Sequence, residues 1–220
     1  ALLVLDDGQE IELDDHKTSK VLEESGIVIV NDSSRVEYRP ASRMGEKEVM
    51  NKIIVPTGGE YNLILSDGTR VYLNAESVIT FPKHFTGERR EVTLEGEAYF
   101  SVTKDADMPF RVEILQQTVE VLGTEFNVSG YMDEAAIYTT LVTGKVKVET
   151  DSGENMVLAP GEQSMLDCRD GHLDKQEVDV EKVIAWKKGM FILEEQTLEQ
   201  IMQKFARWYD MEVVYRDEEL

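Results

Sequence analysis

Cysteine is nearly absent from this sequence. Cys168 stands alone among 220 residues, which rules out an intrachain disulfide and a cysteine-built metal site. Positive charge is scarce too: 23 Lys and Arg face 44 Asp and Glu, a formal net charge of −21. Nucleic acid and anionic membrane surfaces both reward Lys and Arg, so neither is expected as a partner. No apolar run approaches the roughly 18 residues needed to span a bilayer, and no signal-peptide pattern is present. The chain starts at Ala1 rather than Met, and it is read as a piece of a longer protein.

The chemistry of catalysis is also missing. His16, His84 and His172 lie in three unrelated stretches, and none has a second histidine at helical or strand spacing. "GENMVLAPGEQ" has the glycine-proline-glycine spacing of a cupin metal motif, but Gln163 stands where that motif needs a histidine. Gly144-Lys145 lacks a glycine-rich loop before it and a hydroxyl residue after it, so it is no phosphate loop. No serine has a Gly-x-Ser-x-Gly setting, and so many carboxylates single out no acid/base pair. No catalytic residue, metal ligand or cofactor site is expected, and the protein is read as a non-enzyme.

What is present is repetition. "LVLDDGQEIEL" (Leu3–Leu13) returns as "LILSDGTRVYL" (Leu63–Leu73), sixty residues on without a gap and identical at five of eleven positions. Each copy is two apolar runs about an Asp-Gly pair, Asp7-Gly8 and Asp67-Gly68, a dipeptide that suits a two-residue hairpin turn. Such a turn pairs Val4 with Ile11 and Ile64 with Val71, and predicts that these residues share the buried face. A looser third copy is "VKVETDSGENMVL" (Val146–Leu158).

Period-2 alternation continues to about residue 170. "REVTLEGEAYFSV" sets Val92, Leu94, Ala98, Phe100 and Val102 on one side, and "PFRVEI" repeats the pattern. Gly123-Thr124 interrupts another alternating run and predicts a bulge or tight corner. Short strands are expected near residues 136–143, 145–150, 155–159 and 162–167. The predicted class is mainly β: stacked antiparallel hairpins forming a β-sandwich or solenoid-like domain.

The tail changes period. Leu198, Ile201, Met202, Phe205, Ala206 and Tyr209 form a helical stripe predicted to be buried, with Thr197 and Gln200 as a capping box. Apolar runs flank it, Met190–Leu193 before and Met211–Tyr215 after, so a small α+β (β-α-β) C-terminal unit is predicted. A shorter helix over Val180–Trp186 takes Asp179 as cap and Gly189 as stop. The predicted organisation is a β-hairpin extension over 1–52, an all-β domain over 53–175, and a linker helix with the β-α-β unit over 176–220.

Six ordered blocks carry a family resemblance: "PTGGEYNLILSDGTRVYLNAESVITFP" (Pro56–Pro82), "GERREVTLEGEAYFSV" (Gly87–Val102), "PFRV" (Pro109–Val112), "VLGTEFNV" (Val121–Val128), "LVTGKVKV" (Leu141–Val148) and "LAPGEQ" (Leu158–Gln163). Together they resemble the FecR family of anti-sigma factors in its Bacteroidetes-type form. The tail Trp186–Tyr215 is similar to part of that family's C-terminal domain, which has the secretin/TonB short N-terminal fold.

The resemblance implies the periplasmic region of an inner-membrane anti-sigma factor. Such a region takes a signal from the N-terminal signalling domain of a TonB-dependent outer-membrane transporter. It passes that signal to an extracytoplasmic-function sigma factor, which is bound by a cytoplasmic region that this sequence lacks. The membrane would be met only through a helix that this sequence also lacks. The alternative reading is a periplasmic or surface carbohydrate-binding β domain. For the relay, the partner site is expected on the tail, at Trp208, Tyr209, Met211, Val213 and Tyr215, because exposed aromatics are favoured interface anchors. Asp7, Gly8, Asp67 and Gly68 are assigned to structural turns.

Overall fold

The computed structural model describes residues 1–13, 20–24, 27–32, 35–40, 49–194 and 196–214. The first strands are β1 (Leu2–Val4), β2 (Glu10–Glu12), β3 (Lys20–Glu24), β4 (Ile27–Asp32), β5 (Arg35–Pro40) and β6 (Met50–Ile54). Next come β7 (Tyr61–Ile64), β8 (Arg70–Leu73), β9 (Val78–Pro82), β10 (Arg90–Ser101), β11 (Phe110–Ile114) and β12 (Gln117–Val121). The series closes with β13 (Glu125–Gly130), β14 (Ala136–Thr143), β15 (Val146–Thr150), β16 (Asn155–Leu158), β17 (Glu162–Asp167) and β18 (Leu173–Glu177). Two helices follow, α1 (Val180–Val183) and α2 (Leu198–Tyr209), with a 3₁₀ turn at Ala185–Lys188 between them. The class is mainly β with a small helical C-terminal part, as the alternation and the change of period predict.

The strands form two sheets joined through β10. One sheet runs β2-β1-β6-β9-β10-β11-β12-β15-β16. The other runs β3-β4-β5-β7-β8-β10-β13-β14-β17-β18. Pairing is antiparallel except at β10–β11 and β5–β7. The N-terminal half of β10 serves the first sheet and its C-terminal half the second. The change falls at Gly96, whose φ is 96°, and the Ser77 hydroxyl accepts from the Glu97 amide there at 2.9 Å.

One continuous core lies between the sheets, from Leu3 to Leu173. Phe100 and Phe126 stack at 5.1 Å within it, and Gln117 of β12 donates across it to the Thr139 hydroxyl of β14 at 2.7 Å. The predicted inner face of β10 is observed, with Val92, Leu94, Ala98 and Phe100 all buried. Gly123 sits at the corner where the chain leaves the first sheet for the second. A Cβ on Gly123 would come within 2.6 Å of the Lys104 Cα.

The two copies of the repeat do form equivalent hairpin tips, but their register is one residue away from the predicted one. Leu3 pairs with Ile11 and Leu63 with Val71, while Val4 meets Glu10 and Ile64 meets Arg70. The loop therefore holds three residues. The Gly8 amide donates to the Leu5 carbonyl and the Leu5 amide to the Gln9 carbonyl, and Gly68, Leu65 and Thr69 repeat this pattern. Asp7 and Asp67 instead bond the amide two residues on, at 2.9 and 3.0 Å. Only the glycine then needs positive φ, 82° at Gly8 and 84° at Gly68. A one-residue slip exchanges the faces of a strand. Leu3, Leu5, Leu63, Leu65 and Val71 line the core, and Val4 and Ile64 are only partly buried. The third copy uses the same turn, with Gly153 donating to Thr150 and Thr150 to Glu154.

Candidate functional site

The C-terminal segment meets the β domain through a small apolar cluster and a set of polar contacts. Asp179 caps α1, and Gly189 ends the 3₁₀ turn in the left-handed region with φ 68°. This places Trp186 against Tyr99 in a small second core with Ile184. The Trp186 indole donates to the Asn127 Oδ1 at 3.2 Å. Lys187 lies over the Tyr99 ring, 3.2 Å from its centroid, and 4.6 Å from that of Tyr72. Burial holds the lysine below its usual pKa.

Beneath Trp186 lies Glu97, whose oxygens accept from the Asn74 and Asn127 amide groups at 2.7 and 2.9 Å. Both asparagines are fixed in orientation. The Asn74 Oδ1 accepts from the Ala75 amide, and that of Asn127 accepts from Trp186. Each must therefore turn its NH₂ toward Glu97, so both carboxylate oxygens are needed as acceptors. Burial pushes the Glu97 pKa up, and the two amide bonds oppose that only in part. Glu97→Gln is expected to set one NH₂ against another and to cost about 1–3 kcal/mol at neutral pH. A carboxyl group with a raised folded pKa binds its proton more tightly in the native state. Native stability should then fall as pH climbs from the ordinary glutamate value through the raised one. Urea titration across that range should find this slope in the wild type and a flatter one in the variant.

Helix α2 is docked by Arg207, its one buried residue. The capping box is present as predicted, with the Thr197 amide donating to the Gln200 Oε1 at 2.9 Å and the Gln200 amide to the Thr197 hydroxyl. The Arg207 guanidinium lies 3.8 Å from the Tyr131 ring centroid. Its Nη1 donates to Glu134 at 2.6 Å, its Nη2 donates to Asp133, and its Nε lies 3.4 Å from a Glu76 carboxylate oxygen. The Arg207 carbonyl accepts from the Gly58 amide at 2.7 Å. A cavity of about 500 Å³ opens beside this cluster, with Thr57, Glu76, Asp133, Gln203 and Met211 on its walls.

Docking by Arg207 reverses the predicted orientation of the helix. Leu198 and Tyr209 are 55% and 61% exposed, and Ile201, Met202, Phe205 and Ala206 are only partly covered. The flanking segments Met190–Leu193 and Met211–Val214 pair with no strand among the described residues, so the predicted β-α-β unit is here a helix with two irregular flanks. Phe191 is engaged instead by ring contacts to Trp208 at 4.5 Å and Phe205 at 5.6 Å.

Of the predicted partner residues, Trp208 and Val213 are half-buried, Tyr209 and Met211 are exposed, and Tyr215 lies outside the described residues. Trp208 packs at the rim of the second core. Glu97, Asn127 and Glu134 were not singled out by sequence reasoning, and Arg207 only as a basic residue that suits the C-terminal end of the helix. No helical or strand period marks a lone arginine on the polar side of an amphipathic helix.

Comparison with known proteins completes the picture. A family model described as FecR protein matches residues 51–147, and one described as FecR, C-terminal matches residues 190–220. A 1.65 Å crystal structure of a protein assigned as an anti-sigma factor, from Parabacteroides distasonis ATCC 8503, is 35% identical with a TM-score of 0.71. The match covers 73% of this chain and 76% of that one. A second, at 2.50 Å from the same organism, is 34% identical with a TM-score of 0.72 and covers 76% and 81%. The chain belongs to the FecR family. No curated relative matches it. FecR proteins are anti-sigma factors, a regulatory rather than enzymatic class, typically membrane-anchored with periplasmic domains. No helix among the described residues is long and apolar enough to cross a membrane.

Proposed function

We propose that this chain is the periplasmic receiver of a FecR-type anti-sigma factor. It takes its signal from the N-terminal signalling domain of a TonB-dependent outer-membrane transporter. The output goes to an extracytoplasmic-function sigma factor through parts of the protein outside this sequence. The observation that carries the reading is the outward face of α2. Tyr209 and Leu198 are exposed, as are Met190 and Met211 on the helix flanks, while the opposite face is fixed by Arg207. A relay needs a surface free to bind and a scaffold to bind against, and this segment has both. Signalling then requires a partner with different affinities for two states of the receiver. The carbohydrate-binding alternative gains little support: the aromatic pair that could seat a sugar, Tyr72 and Tyr99, lies under Lys187.

The test is capture of the purified signalling domain of a TonB-dependent transporter, taken from beside this gene if one is encoded there. Saturable binding is expected. With a charge of −21 steering a basic face, association should slow as added salt shortens the Debye length toward roughly 8 Å. Absence of binding at any salt concentration would refute the assignment of partner.

A further inference from the structure

The attachment of α2 to the β domain is unusual in its chemistry. Helices normally dock through their apolar stripe, yet the stripe here is only partly covered and the one fully buried side chain is a charged one. Arg207 reaches carboxylates on two separate loops, Asp133 and Glu134 between β13 and β14 and Glu76 between β8 and β9. A third loop supplies the Gly58 amide. Glu76 holds a left-handed backbone with φ 58°, a conformation uncommon for glutamate.

We propose that Arg207 is a latch: it holds the C-terminal helix in a docked state from which α2 is released as a unit while the β domain stays folded. Three features support this. The contacts of Arg207 are mostly charges and hydrogen bonds, and Asp133 and Glu76 are 61% and 44% exposed, so water can reach these two carboxylates once the helix leaves; the apolar contact of α2 is Trp208 at the rim of the second core. The β-domain core is continuous without α2, none of whose residues contributes to it. A twelve-residue helix is also marginal by itself, so release and loss of helix go together. Without Arg207, Glu76, Asp133 and Glu134 would lose the cation that bonds them directly and keep only the weaker field of Lys204, which acts on Glu134 from the same helix. The latch is independent of the transporter reading, because it concerns only how this chain holds its own helix.

Hydrogen exchange on the whole chain tests it. In the wild type, α2 amides should exchange through a local opening well below the global unfolding that governs β10, β13 and β14. Arg207→Met keeps the stem and removes the charge. It should speed α2 exchange by at least roughly tenfold, as expected for lost charge-assisted bonds, and leave β10 and β13 unchanged. The double substitution Asp133→Asn with Glu134→Gln should do the same from the other side. Two results would overturn the latch: wild-type α2 amides exchanging in step with the core strands, or α2 protection unchanged in both variants.

Discussion

Arg90→Ala is expected to lower the stability of the β domain by about 3–5 kcal/mol, the range for breaking a buried ion pair from one side. Arg90 is 1% exposed. Its Nη1 bonds the Asp67 carboxylate at 2.6 Å and the Thr103 carbonyl at 2.9 Å, and its Nε bonds the Met108 carbonyl at 2.8 Å. Asp67 also receives the Thr69 hydroxyl at 2.6 Å and the Thr69 amide at 3.0 Å. One arginine thus ties the second hairpin tip to the loop between β10 and β11. Truncation leaves a carboxylate and two carbonyls short of a donor at a site with little access to water. The neighbouring Arg89, with a half-exposed side chain, supplies the control: Arg89→Ala should stay within about 0.5 kcal/mol of wild type. Urea unfolding reads both, as a shift of midpoint with the slope unchanged.

The second large effect is expected at Gly96. A Cβ there would stand 2.6 Å from the Ser77 Oγ and 2.8 Å from the Ser77 Cα. The hydroxyl could turn aside, but the backbone carbon could not. The φ of 96° adds strain for any L side chain, of order 1–3 kcal/mol. Gly96→Ala should therefore cost about 3 kcal/mol or more, the strain and the clash acting together. It should also loosen the junction of the two sheets, because β10 changes sheets at this residue. Gly8→Ala makes the comparison, since no atom lies within 4 Å of its Cβ position; only the strain of its φ would remain. Equal losses at both sites would show that close approach to Ser77 contributes nothing.

The β strands were legible because burial on one face writes itself as alternation, and β10 reads directly as Val92, Leu94, Ala98 and Phe100. The turn chemistry was legible only in part. Asp-Gly fits both a two-residue turn and a three-residue loop. What separates them is the bond that the amide two residues on donates to the Asp7 or Asp67 carboxylate, in a loop where only the glycine takes positive φ. The helix α2 was found by its stripe and its caps, but a stripe says which side is apolar and not which side is covered. Which side docks is settled by the distant partners of Arg207, more than seventy positions away at Asp133 and Glu134. No local pattern encodes such a separation. The flanking strands failed for a related reason, since apolar residues make a strand only where a ladder partner exists. Phe191 found aromatic rings instead.

The central claim is that the partner is received on the outward face of the C-terminal helix, and titration calorimetry tests it most directly. The transporter signalling domain that the wild-type chain captures is titrated into the wild-type chain and into a Tyr209→Glu, Met211→Glu variant. Both positions are exposed, so folding should survive, which thermal unfolding can verify. Saturable wild-type binding is expected, with the variant weakened by at least roughly thirtyfold, the loss of about 2 kcal/mol that marks an interface anchor. Equal affinity for the two proteins would contradict the central claim.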